Sequence, residues 1–204
     1  MTPGQFHARV QDAAGPGGRL QLSEMTGWET FPFETDGLRV VPLDPPQLPE
    51  PDRSGERGGD CPACTGPDST GPADRAWSDE NWQLRALPPS GSPLVLMLQS
   101  RQHHDLTDLP DALAADLGRL IVHISRAIES LPHIARAHVS RWGDGGAHLH
   151  VFFFARPAGF SQLRGTCMAL WDDVLPPVPA QEHADDTAAV ARALAASYGG
   201  IAAG

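Results

Sequence analysis

The stretch Gly143-Asp-Gly-Gly-Ala-His-Leu-His-Val-Phe-Phe-Phe-Ala-Arg-Pro157 decides how the rest of the chain is read. Its glycines predict a reversal over Gly143 to Gly146, after which His148 to Ala155 reads as a strand, paired with a preceding strand from Ala137 to Trp142. Side chains two apart in a strand share a face. His148 and His150 therefore point the same way, followed by Phe152 and Phe154, while Leu149, Val151 and Phe153 face the other side. Two imidazoles on one sheet face, entered through a glycine turn, are poor core filling and mark a candidate site.

Upstream, Leu113, Leu117, Leu120, Ile121, Ile124 and Ile128 return to one face of a 3.6-residue helix over 108–130, with Asp108 and Pro110 as start signals. His123 falls off that stripe and reads as solvated. Before the helix, Trp77 to Ala86 reads as one strand, PPSGSP as a turn and Leu94 to Leu98 as a buried strand. A terminal helix is expected from a cap at Asp185 or Asp186 through Val190, Ala191, Leu194 and Tyr198 to Gly199-Gly200. Hairpin, helix, hairpin and terminal helix make an α+β domain with an antiparallel sheet. The strand-helix alternation of a doubly wound sheet is absent.

The first part of the chain differs. AAGPGGR, PLDPPQLPEPD and RSGERGGD predict an extended arm without long helices, running to about Thr70. Two islands interrupt it: Trp28 to Phe33, with Trp28, Phe31 and Phe33 apolar, and Leu38 to Leu43, whose Val40 and Val41 suit a strand. The expected organisation is a Pro/Gly-rich N-terminal arm (1–57), a central domain (58–158) and a C-terminal extension (159–204). In that extension Trp171 reads as an apolar anchor and Cys167 as a buried small residue.

The whole chain has 204 residues and 41% apolar content, enough for one core, and a formal charge of −10 with every one of its 15 basic side chains an arginine. That balance argues against a protein that wraps a nucleic-acid duplex, while a few arginines and backbone amides suffice for a small anion. No segment reads as a membrane span or a secretory signal, so a cytoplasmic location is the expectation. Three cysteines do not make a disulfide framework.

Cys61-Pro-Ala-Cys64 offers two thiolates at the bite of one tetrahedral ion. His103 or His104, at the exit of the buried strand, and His148, on the second hairpin, are the available partners. A Cys2His2 structural zinc would staple the flexible arm to the domain. With His148 so engaged, His150 stands beside the site as a candidate nucleophile. A competing reading makes His148 and His150 joint ligands of a catalytic metal.

The run from His148 to Pro157 after its glycine turn resembles the signature strand of the histidine triad superfamily. Leu96 to Leu109, ending Arg101-Gln-His103-His-Asp-Leu-Thr-Asp-Leu109, is similar to that family's strand, histidine and helix start. Cys61 and Cys64 match a zinc-binding CxxC of its galactose-1-phosphate uridylyltransferase branch. The resemblance covers about residues 58 to 158 and implies a histidine-triad-like fold. It also implies a hydrolase or nucleotidyltransferase acting on phosphoric anhydride or phosphoramidate bonds of a nucleotide or nucleotide conjugate. His150 would form the covalent nucleotidyl-histidine, and Cys61, Cys64, His103 and His148 would hold zinc. Members often pair, so a homodimer is a further implication.

A neutral imidazole needs its second ring N–H held, usually by a backbone carbonyl. The Gly143 to Gly146 turn is expected to supply that carbonyl, with Gly145 and Gly146 offering amides to phosphate. Arg141 and Arg156, flanking the paired strands, are candidates for meeting phosphate charge. Phe152 stands where the family has its third histidine, and Ala147 replaces a polar residue. The alternative function is accordingly a catalytically weak or inactive nucleotide-binding protein.

Overall fold

A computed structural model describes residues 1–65 and 75–203, so the end of the expected arm, 66–70, lies outside the described residues. Contacts group the chain into two units, Met1–Pro51 and Asp52–Gly204. The expected arm thus overlaps the second unit over 52–57.

The first unit contains a helix that its proline and glycine content argued against, α1 (Pro3–Ala14). Its start is fully specified locally. The Thr2 hydroxyl accepts from the Gln5 amide, the Gln5 side chain accepts from the Thr2 amide, and Pro3 occupies a first-turn position where no N–H is needed. It stops at Gly15, whose φ of 62° suits glycine. Neither island forms a strand. Residues 40–43 are instead held through their carbonyls, Leu43 O accepting from His7 and Gln11 and Val40 O from Arg19. Phe31 and Phe33 meet edge to face at 5.6 Å.

The second unit is built on a six-stranded, wholly antiparallel sheet: β1 (Arg75–Ser78), β2 (Trp82–Ala86), β3 (Val95–Ser100), β4 (Ile134–Ser140), β5 (His150–Pro157) and β6 (Ile201–Ala202), in the order β4-β5-β3-β2-β1-β6. The single strand expected over 77–86 is two strands. The Asp79 carboxylate accepts from the Asn81 and Trp82 amides at 2.8 and 2.7 Å, which reverses the chain in mid-segment. A one-turn helix, α2 (Pro62–Thr65), follows Cys61 directly and contains Cys64, and α3 (Asp111–Glu129) is the expected amphipathic helix. The Asp108 start signal belongs to a separate 3-10 turn, Leu106–Asp108, capped by Asp105.

After β5 come α4 (Met168–Val174) and α5 (Ala180–Tyr198). The latter begins five residues before the expected cap at Asp185, directly after Pro179, and ends at Gly199 as anticipated. Leu117, Leu120, Ile124 and Ile128 of α3 and Val190, Ala191 and Leu194 of α5 pack against Leu84, Leu96, Leu98, Val151 and Phe153. This buried layer covers one sheet face. On the opposite face, Val95 and Phe154 pack with Leu163 and Met168, and Trp171 joins them, so α4 covers only one end. Cys167 is buried there. The other end of that face stays open and carries the site. Among the described residues no helix is long and apolar enough to cross a membrane.

Candidate functional site

The open end of the sheet is shaped by a segment that precedes the CxxC. The Ser54 carbonyl accepts from the Ala147 amide at 2.9 Å, and Ser54 forms an isolated parallel bridge with Gly146. The Arg53 guanidinium donates to the Gly143 carbonyl at 2.9 Å and to the Asp105 carboxylate at 2.7 Å. Arg53 is also paired with Glu56, and these two carboxylates raise its pKa. Burial acts to raise the Asp105 pKa, but the Arg53 bond, the Leu106 amide and the Arg141 charge override it and hold the carboxyl below its ordinary value. The glycine turn is thus clamped from behind.

Against this clamp lies a four-donor cluster. One donor atom each from Cys61, Cys64, His103 and His148 falls within 4.8 Å of the others. His148 Nδ1 is 3.5 Å from Cys61 Sγ and 3.3 Å from Cys64 Sγ, and His103 Nδ1 is 3.5 Å from Cys64 Sγ. A tetrahedral zinc, with bonds of about 2.3 Å to sulfur and about 2.0–2.1 Å to nitrogen, places those donors roughly 3.5–3.6 Å apart, so the residues fit that ion. His148 Nε2–H donates to the Ser100 carbonyl at 2.7 Å, which leaves the Nδ1 lone pair toward the sulfurs. Burial, opposed by the Ser100 carbonyl and aided by the neighbouring histidines, holds the His148 pKa below the usual imidazole value. Burial, then Cys61, pushes the Cys64 thiol up to about 11 in the absence of a cation. A divalent ion reverses that preference.

Of the two adjacent histidines it is His103 that joins the cluster. His104 instead uses its carbonyl to hold the Leu149 amide at 2.6 Å, with its ring 3.9 Å from Asp108. Gly55 lets the segment turn tightly here, with φ of 78° and Cys61 so close that an added Cβ would lie 2.9 Å from the Cys61 Cβ.

His150 opens β5 beside this cluster and lines a cleft of about 230 Å³ together with Ser54, Arg85, Gln99, Gly145 and Gly146. Its Nδ1–H donates to the His148 carbonyl at 2.7 Å, which fixes the tautomer with the lone pair on Nε2. The carbonyl thus comes from His148, two residues earlier and just outside β5, and not from the glycine turn, so the expected strand over 148–155 starts at His150 instead. Among the described residues, His150 is not one of the clustered donors.

Two expected residues lie elsewhere. Arg141 bonds the Asp105 carboxylate, its guanidinium lying over Gly143. Arg156 sits six residues along β5 from His150, about 20 Å at strand rise, and donates to the carbonyls of Pro157 and Phe160. The cleft's guanidinium belongs to Arg85 on β2. The sequence signal for Arg85 and Gln99 is a polar residue at a period-2 position in an apolar strand, but only the strand order places either one near His150. Phe152 packs edge-on against His150 at 5.3 Å and tilts against Trp142 at 5.5 Å, an apolar wall beside His150.

No family model matches the chain, and no curated protein matches it. Similar solved structures include a histidine triad protein from Bradyrhizobium japonicum, 20% identical over 59% of this chain and 89% of that one, with a TM-score of 0.49. A zinc-bound histidine triad family protein from Mycobacterium smegmatis is 21% identical over 67% of this chain and 94% of that one, with a TM-score of 0.49. A uridylyltransferase is 17% identical over 70% of this chain and 48% of that one, with a TM-score of 0.48.

Proposed function

We propose that the chain handles nucleotides or nucleotide conjugates through a covalent nucleotidyl-histidine at His150, as a hydrolase or nucleotidyltransferase. The observation that carries this reading is the 2.7 Å bond from His150 Nδ1–H to the His148 carbonyl. It commits Nδ1–H to the backbone and leaves Nε2 as the attacking nitrogen in a cleft floored by polar side chains and glycine backbone. Nε2 attacks the phosphorus, the P–N bond forms, and the P–O or P–N bond to the leaving group breaks with both electrons going to that group. The positive charge gained by the ring is spread toward the His148 carbonyl. Gly145 and Gly146 line the cleft with backbone that can approach phosphate oxygens closely, and Arg85 supplies the matching charge. Water or a second acceptor then cleaves the P–N bond and restores His150.

Cys61, Cys64, His103 and His148 would hold a structural zinc, whose contribution is to fix the segment around Cys61 against the strand that bears His150. Nothing in the reaction is routed through it. A second reading is favoured by Phe152 and Trp142, which give the nucleophile an apolar neighbour where a charged phosphate would be placed. That reading is a protein that binds nucleotides without turning them over.

The test is incubation with adenosine and uridine 5′-phosphates esterified to p-nitrophenol, followed by a search for an acid-labile adduct on the peptide containing His150. An adduct in the wild type and none in His150→Ala supports the covalent route. Binding without adduct or nitrophenol release supports the second reading, and release undiminished in His150→Ala refutes the first.

A further inference from the structure

Resting on the proposed nucleotide reading, the structure assigns a substrate-contacting, specificity-determining role to Gln99. Gln99 pairs directly with His150 across β3 and β5. Side chains so paired have Cβ atoms about 4.5–5.5 Å apart, so the amide and the imidazole enter the cleft side by side. Both line it.

Gln99 is only 6% exposed, yet its Oε1 is buried without a hydrogen-bond partner among the described residues. A desolvated, unmatched acceptor is a standing cost that folding alone does not explain, since an apolar residue would fill the same place without it. It is also an interruption of pattern: Val95 to Leu98 are apolar, and the first polar residue of β3 falls opposite the nucleophile. Such a group pays for itself when a ligand donates to it. The amide oxygen calls for an O–H or N–H on the ligand within a few ångströms of the phosphorus that His150 reaches.

Arg85 lies on the same face in the neighbouring row, opposite Met97, which in turn is opposite Phe152. Charge and acceptor together describe a phosphate ester bearing a hydrogen-bond donor. A sugar hydroxyl and a base N–H are the two sources of that donor in a nucleotide.

The test compares Gln99→Leu and Gln99→Met in two backgrounds. In His150→Ala protein, the affinity for the p-nitrophenyl esters of uridine and adenosine 5′-phosphate is measured by calorimetry. In otherwise wild-type protein, kcat/KM, melting temperature and zinc content are measured. Either substitution is expected to weaken binding and kcat/KM by about 10- to 100-fold, the effect of unmatching one buried hydrogen bond. The melting temperature is expected to hold or rise, because the orphaned acceptor is gone, and zinc content to stay unchanged. A purely structural amide predicts the opposite pairing, a lower melting temperature with unaltered affinity per folded molecule.

Esters of the 2′,3′-dideoxynucleosides identify the donor. If it is a sugar hydroxyl, they lose the same factor against the wild type and nothing more against Gln99→Leu. If it is on the base, they lose that factor in neither protein. Affinities within twofold of wild type, or a loss that tracks falling stability, overturn the role of Gln99. Gln99-dependent binding in a protein that forms no adduct retains the role and overturns the covalent route alone.

Discussion

Replacing Gly91 with alanine is expected to pry α4 from the sheet. Gly91 lies in the turn between β2 and β3, and an alanine Cβ there would sit 2.5 Å from the Asp172 carbonyl oxygen and 2.7 Å from the Leu175 Cβ. Both are at or next to backbone, so neither can swing aside as the tip of a flexible side chain would. The turn and the helix must separate by most of an ångström. Three bonds hold them: Gly91 N–H to the Asp172 carbonyl at 3.2 Å, and the Ser90 hydroxyl and Ser92 amide to one Asp172 carboxylate oxygen at 2.8 and 2.7 Å. At about 1 kcal/mol each their loss costs about 3 kcal/mol. The reduced freedom of the unfolded chain returns about 0.5 kcal/mol. For a unit of this size a net loss of about 2.5 kcal/mol lowers Tm by roughly 5–10 °C. Calorimetry on Gly91→Ala, Asp172→Ala and the double variant tests the reasoning. Asp172→Ala should cost about 2 kcal/mol, from two of the three bonds. The double variant should cost little more than Gly91→Ala, because the same bonds are already gone. A Tm within 2 °C of wild type, or additive effects, would refute the account.

Two further outcomes are expected. His103→Ala should reduce bound zinc from about one ion per chain to a small fraction, whereas His104→Ala should retain it, as read by metal analysis after dialysis; equal retention refutes the four-donor assignment. His183, on α5, is buried, and burial holds its pKa below the usual value against the opposing pull of Asp186 and the Leu87 carbonyl. The unfolded chain therefore takes up a proton that the folded one refuses, so this stability is complete above about pH 6.5 and declines as the pH falls below it. His183→Leu should flatten the urea midpoint between pH 7 and 5, and an unchanged slope would show that another group governs it.

What was legible in the sequence had local causes. The alternation from Leu149 to Phe154 and the stripe from Leu117 to Ile128 each fixed an element and the face it buries, and CxxC chemistry limited the donors to a few histidines. What was missed fell into two kinds. The helix at Pro3–Ala14 was hidden by composition, because counting prolines and glycines overlooks that Pro3 and Gly15 stand at the two ends where helices accept them. The turn at Asp79 was likewise hidden inside an otherwise strand-like segment. The second kind was not local at all. Arg141 adjoins the glycine turn in sequence yet spends its charge on Asp105, and Arg85, 65 positions before His150, reaches the cleft because β3 alone separates β2 from β5. Pairing order is set by which faces must be buried, and no window of residues contains it.

Cys61 and His148 belong to two things at once: they are donors of the four-atom cluster and walls of the cleft that holds His150. If the cluster takes an ion and the cleft a ligand, as proposed, the two are partners in one equilibrium. By thermodynamic reciprocity, whatever factor the ion adds to the grip on a ligand, the ligand must add to the grip on the ion. Where the ion strengthens the cleft's hold, a cell short of the metal would find the ligand held more weakly, and a cell rich in the ligand would find the metal harder to remove.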